Sequence, residues 1–154
     1  PLEPEELVRE ACRALEDDIR GRRVNLDVDL PPALPRVLGH GDALVQVLVN
    51  LLTNAVEAVT PPREGREGPG LVRVAAAASG GAVLFTVDDD GPGLSRDEQE
   101  KVFAPFHTTK GRQGGVGLGL AIAGDIIRAH GGSLAVDSSP GKGARFTVSL
   151  PAQT

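Results

Sequence analysis

Residues 46–57, Gln46-Val-Leu-Val-Asn50-Leu-Leu-Thr-Asn54-Ala-Val-Glu57, read as a helix that is apolar on every side but one. The surrounding stretch from Asp42 to Val59 is almost entirely Leu, Val and Ala, with Asp42 placed to cap its start and Thr60-Pro61-Pro62 to stop it. Gln46, Asn50, Asn54 and Glu57 interrupt it at spacings of four, four and three. At about 100° per residue they share an arc of roughly 80°, one polar stripe on an otherwise buried helix. An ordinary solvent-facing side would account for a stripe, but such a side usually carries Lys, Arg and Glu, and asparagine is a poor helix former. The residue types in this stripe therefore point toward a polar ligand.

On the N-terminal side, Pro4 to Arg22 carries Leu7, Val8, Ala11, Leu15 and Ile19 at three-to-four spacing with Glu5 and Glu6 in the first turn, which predicts an amphipathic helix. Val24–Leu30 alternates apolar and polar and is closed by Pro31-Pro32, as a half-buried strand would be. On the C-terminal side, residues 60–70 (TPPREGREGPG) are expected to be a flexible connector. Leu71–Ala78 and Ala82–Val87 then predict two strands joined through Ser79-Gly80-Gly81. A short helix near Ser95–Lys101 and a glycine-rich loop to Gly115 precede a long helix from about Gly117 to Ala129, stopped by His130-Gly131-Gly132. Ser133–Asp137 and Ala144–Leu150 complete the chain as strands. Helices mixed with strand hairpins predict a two-layer α/β sandwich, a mixed sheet packed on three helices.

The chain has 154 residues, 40% of them hydrophobic, enough for one domain that buries its own core. Glycine (20) and proline (12) fall short of the roughly 25–30% at which composition alone signals disorder, so glycine-rich loops on a folded domain are expected. A net charge of −5, with no Trp or Tyr to stack on bases, argues against a nucleic-acid partner. The single cysteine, Cys12, excludes an intrachain disulfide framework and a multi-cysteine zinc site, and points to a reducing cytoplasm. No run of about 18 apolar residues and no signal-peptide pattern is present, so direct membrane contact is not expected. A chain that opens on Pro1 and contains no methionine is expected to be a piece of a longer protein.

Two further segments carry chemistry. Val87-Asp88-Asp89-Asp90-Gly91-Pro92-Gly93 puts an acidic glycine turn directly after a strand. It reads as a plain turn, as a hard-cation site, or as a strand-end carboxylate that accepts a hydrogen bond from a base edge while Gly91 and Gly93 admit a ligand to the backbone. The alternating ligands and later Glu of an EF-hand loop are missing. Gly111–Leu120 (GRQGGVGLGL) runs five glycines into a helix, where free N–H groups and the positive end of the helix dipole make an anion site. Lys110 and Arg112 stand ready to meet phosphate charge. A flexible linker would explain the glycines but not Leu118, Leu120, Ile122, Ile126 and Ile127, which continue a helix. Neither GxxxxGK[ST] nor GxGxxG occurs, and HExxH and GxSxG are equally absent.

In order along the chain, Asn50–Ala58 (NLLTNAVEA), Asp89–Gly93 (DDGPG), Val102–Lys110 (VFAPFHTTK) and Gly115–Leu120 (GVGLGL) resemble the N, G1, F and G2 boxes of bacterial sensor histidine kinases. Gly141–Leu150 (GKGARFTVSL) resembles their closing G3 segment, and the likeness covers residues 3–151. Agreement of separate motifs in order and spacing makes it specific. The family fold is the Bergerat ATP-binding sandwich, shared with type II topoisomerases, Hsp90 and mismatch-repair ATPases of the wider GHKL group.

The resemblance implies one catalytic domain over residues 1–154 with ATP and Mg²⁺ as its cofactors. It implies that Asn54 ligates Mg²⁺, with Asn50 beside it and Lys110 on phosphate as catalytic partners. Asp89 would receive the adenine amino group, with Gly91 and Gly93 at its side and Thr147 as a weaker adenine contact. Residues 104–116 would form the ATP lid, anchored by Phe103 and Phe106, and the backbone of Gly115, Gly117, Leu118, Gly119 and Leu120 would hold phosphates. The hydrolytic GHKL enzymes place a Glu four residues before the magnesium asparagine. Asn50 stands there instead, and an amide cannot take a proton from water, so the resemblance favours phosphoryl transfer over hydrolysis.

The acceptor implied is a histidine on a separate dimerisation domain, with a response regulator downstream. None of His40, His107 or His130 fits that histidine's setting, so the chain alone is expected to bind ATP without phosphorylating itself. It is expected to be monomeric within a homodimeric parent that can be membrane-anchored. An anti-sigma-type GHKL serine kinase would carry the same boxes, and a non-catalytic nucleotide-sensing module would keep the same fold.

Overall fold

In the computed structural model, residues 1–60, 68–101 and 116–153 are described. They form α1 (Pro4–Ile19), β1 (Val24–Asp29), α2 (Gly41–Val59), β2 (Gly70–Ser79), β3 (Ala82–Asp89), α3 (Arg96–Lys101), α4 (Val116–Ala129), β4 (Ser133–Ser138) and β5 (Ala144–Pro151). One five-stranded sheet runs in the order β1-β2-β3-β5-β4. β1 is parallel to β2 and the other pairings are antiparallel, so the sheet is mixed, as expected.

The core lies between one face of the sheet and a layer of α1, α2 and α4, with α2 in the middle. Alternation along the strands supplies the sheet's half: Val72, Val74 and Ala76 of β2, Val83, Phe85 and Val87 of β3, and Phe146, Val148 and Leu150 of β5 are buried. From α2, Leu44, Val47, Leu48, Leu51, Leu52, Ala55, Val56 and Val59 are buried against them. Each such large side chain contributes roughly 1.5–3 kcal/mol by leaving water. By length and composition alone α2 could cross a bilayer. Its buried side chains instead form the centre of the core.

Strand ends elsewhere shift by a residue or so, and three boundary differences have a physical reason. α1 ends at Ile19, and Arg20 already has extended dihedrals. The N-cap of α2 is His40, without a side-chain capping bond, while Asp42 sits in the first turn, where its charge meets the positive end of the helix dipole. β3 runs on through Asp88 and Asp89, because both residues pair with β5, at Arg145 and Ala144. The acidic turn thus begins inside the sheet.

Candidate functional site

Asn50, Asn54 and Ala58 succeed one another on one face of α2, about one turn apart. At one end of this row, Asn50 Nδ2 donates to the Gly119 carbonyl in the first turns of α4 (3.1 Å), while Asn50 Oδ1 accepts from Gln46 Nε2 (2.8 Å). Both ends of the Asn50 amide are therefore engaged within the protein, and the residue braces α2 against α4. At the other end, Gly91 lies against Ala58: a Cβ on Gly91 would fall 2.9 Å from the Ala58 carbonyl oxygen and 3.0 Å from Asp89 Oδ1. Only glycine permits that approach. Half-buried Asn54 lies on the row between the start of α4 and the acidic turn.

The three consecutive aspartates diverge. Asp88 faces the bare side of the sheet, where its Oδ1 accepts from Arg145 Nε (2.5 Å); this hydrogen bond and the nearby charge raise the Arg145 pKa further. Asp89 faces the helices at the end of the core and is only 9% exposed; its Oδ1 accepts the Gly91 N–H (2.9 Å). Asp90 Oδ1 accepts the Leu71 N–H (2.9 Å), and its own N–H donates to the Leu71 carbonyl (3.1 Å). Carboxylates aimed three ways do not converge on one cation. Asp89 alone is positioned at the helix-facing end of the strand beside the α2 row.

The structure thus brings together Asn50, Asn54, Asp89, Gly91 and Gly119, with Gly117, Leu118 and Leu120 in the opening turns of α4 and Leu120 buried. Gly93 closes the same turn as Asp89, with φ of 75°. Thr147 is not part of this group. It stands in register with Thr86 and Ala135 on the bare face, because Phe146 and Val148 on either side of it point into the core. The residue opposite Asp89 on β5 is Ala144. Phe103, Phe106, Lys110 and Gly115, and nearly all of the expected lid, lie outside the described residues.

Two other features bear on chemistry. His130 Nε2 accepts the His40 N–H (3.1 Å), which leaves Nδ1 to donate to the Ile126 carbonyl (2.8 Å), so both ring nitrogens are committed to joining α4 to the start of α2. Ser138 and Gln99, which sequence reading did not single out, grip the far side of the acidic turn through hydrogen bonds to Leu94. Their only sequence signal is polarity beside a glycine-containing turn.

The sequence pattern of the histidine kinase-, DNA gyrase B- and HSP90-like ATPases matches residues 39–154. Sensor histidine kinase ZraS of Escherichia coli O157:H7 is 38% identical over 145 residues, 94% of this chain and 30% of ZraS. The chain thus spans about 30% of that relative's length. The nucleotide-free catalytic domain of histidine kinase ThkA superposes with a TM-score of 0.80 at 30% identity, over 97% of this chain and 95% of that one. ThkA is also known in complex with the response regulator protein TrrA. Full-length ShkA in complex with AMPPNP gives a TM-score of 0.84 at 31% identity, over 100% of this chain and 31% of ShkA. With that sequence pattern over most of its length and the fold of a histidine kinase catalytic domain, the chain belongs to the histidine kinase-, DNA gyrase B- and HSP90-like ATPase family.

Proposed function

We propose that this chain is the ATP-binding catalytic domain of a sensor histidine kinase, presenting Mg-ATP so that the γ-phosphoryl group reaches a histidine on a separate dimerisation domain. The observation that carries this reading is the row Asn50–Asn54–Ala58, bounded by Gly119 of α4 at one end and Gly91 of the acidic turn at the other. Its length suits a nucleotide lying along α2, adenine toward Asp89 and phosphates toward α4. The Asp89 carboxylate would accept from the adenine amino group, a charge-assisted hydrogen bond in a nearly buried setting. The amides at the start of α4 would hold phosphate, with Phe103, Phe106, Lys110 and Gly115 closing the lid segment over it.

The donor set fits magnesium. No three His, Cys, Asp or Glu side chains converge on a cation site among the described residues, and Asn54 offers a neutral amide oxygen. Such a site suits an ion that keeps several waters and takes the rest of its shell from phosphate. Magnesium would supply neutralisation of phosphate charge. The protein's own contribution is to orient: Asn50 fixes α4 against α2, and Asp89 fixes the base. Asn50, its amide committed to Gln46 and Gly119, acts as a positioning residue and provides no base for water.

His130, with both ring nitrogens in use, is no phosphoacceptor. With none of the three histidines in the sequence setting of an acceptor, we place the acceptor on another domain of a longer, dimeric, cytoplasm-facing kinase. ThkA's complex with TrrA supports a response regulator as the downstream partner. The test is Asn54→Ala in the complete kinase, read as acid-labile phosphohistidine formed from ATP. The expected result is loss of phosphorylation with the fold retained; a near-normal rate would remove Asn54 from the site.

A further inference from the structure

The turn at residues 89–94 is held from behind by the turn between β4 and β5. Ser138, the last residue of β4, is the central link: its Oγ accepts the Leu94 N–H (2.8 Å) and donates to the Gly143 carbonyl (2.6 Å). The Ser138 carbonyl accepts from Gln99 Nε2 (2.8 Å), and the same amide donates to the Leu94 carbonyl (3.1 Å). Gln99 is itself held on α3, whose start is closed by a reciprocal pair: the Ser95 N–H donates to Glu98 Oε1 (2.8 Å) and the Glu98 N–H to Ser95 Oγ (3.1 Å). Between these links, the Gly141 N–H donates to the Pro92 carbonyl (2.5 Å).

The two turns touch backbone to backbone. A Cβ on Gly93 would fall 2.1 Å from the Ser139 carbonyl oxygen, and one on Gly143 would fall 2.0 Å from the carbonyl oxygen of Asp89 itself. Ser138 thus holds Leu94 at the end of the acidic turn, and through Gly143 it bears on Asp89 at the beginning. Its hydroxyl spends its proton on one segment and accepts from another, so alanine would release both at once.

We infer that Ser138, braced by Gln99, is a positioning residue that fixes the Asp89 carboxylate and so sets the preference for adenine over guanine, an inference that rests on Asp89 reading the base. Adenine presents an amino group at the edge where guanine presents a carbonyl oxygen. A carboxylate held in place therefore rewards one base and repels the other, whereas one free to shift loses that discrimination.

The experiment is titration of ATP and GTP, each with Mg²⁺, into the 154-residue chain and into Ser138→Ala, Gln99→Ala and Asp89→Asn, with thermal melts of each. The ATP-to-GTP affinity ratio is expected to fall about tenfold in Ser138→Ala and about threefold in Gln99→Ala, through weaker ATP binding. A merely structural role would lower the melting temperature, or weaken both nucleotides equally, and leave the ratio unchanged. A folded Ser138→Ala with the unmutated ratio overturns the inference; should that variant not fold, an unchanged ratio in Gln99→Ala does so. Asp89→Asn separates the two levels. If it binds ATP as well as the unmutated chain, or if the unmutated chain binds none, the adenine reading falls and the inference with it. If Asp89→Asn loses ATP while the other variants keep the ratio, only the Ser138 inference falls.

Discussion

Asp88 and Asp89 are neighbours in one strand, yet they stand on opposite faces of the sheet and in different chemistry. On the bare face, Asp88 belongs to a row that crosses all five strands in register: Asp27, Arg73, Asp88, Arg145 and Asp137, alternating in sign. Every charge in that row has an opposite neighbour and water at hand, so each pair contributes only about 0–1 kcal/mol. On the covered face, Asp89 continues the line of Val83, Phe85 and Val87 and is the one buried charged residue among those described. A carboxylate there loses water and must be repaid by hydrogen bonds, of which the Gly91 N–H is one. Identical side chains are a surface tie on one side and a nearly buried carboxylate on the other, and the parity of the strand decides which.

This contrast can be broken in graded ways. The largest effect is expected from Leu51→Ala on the covered face: Leu51 is fully buried, and the cavity should cost about 2–5 kcal/mol in denaturant unfolding. A loss under about 1 kcal/mol would mean that the core can collapse around the site. Asp89→Asn comes next, with ATP binding weakened roughly tenfold to a hundredfold, since a hydrogen bond to a charged group is lost. Asp88→Asn on the bare face should change unfolding free energy by less than about 1 kcal/mol and leave ATP affinity as it is. A large loss of affinity there would erase the distinction between the faces.

The smallest effect concerns Cys12 on α1. Burial raises its thiol pKa above the ordinary 9.0, so the folded protein holds the proton more tightly than the unfolded chain does. Stability is accordingly unaffected below about pH 9 and declines at more alkaline pH, as pH rises toward the raised folded value. Alkylation by iodoacetamide should be slow in the native protein and fast after unfolding. Equal rates would place the thiol in water.

Much of this was legible in the sequence because periodicity is a local property. The three-to-four spacing in α1 and α2 and the alternation in β2, β3 and β5 located the layers, and the polar stripe of α2 and the acidic turn singled out Asn50, Asn54 and Asp89 as the proposed site. Thr147 was misplaced for a reason that alternation itself contains: with Phe146 inward, its neighbour must face outward. The end of β3 was set too early because Asp and Gly are turn formers, whereas pairing on both sides, with Arg73 and Val72 of β2 and with Arg145 and Ala144 of β5, keeps Asp88 and Asp89 in the sheet. The grip of Ser138 and Gln99 on Leu94 could not be read at all. Its long-range links, Ser138 to Leu94 and Gln99 to Ser138, join residues 44 and 39 positions apart that no short-range pattern relates.

The most direct test is calorimetric titration of Mg-ATP into the unmutated chain, Asp89→Asn and Asp88→Asn under one set of conditions. Saturable binding that weakens about tenfold or more in Asp89→Asn and is kept in Asp88→Asn is the predicted result. Binding that is unchanged in Asp89→Asn, or weakened equally in both variants, would contradict it.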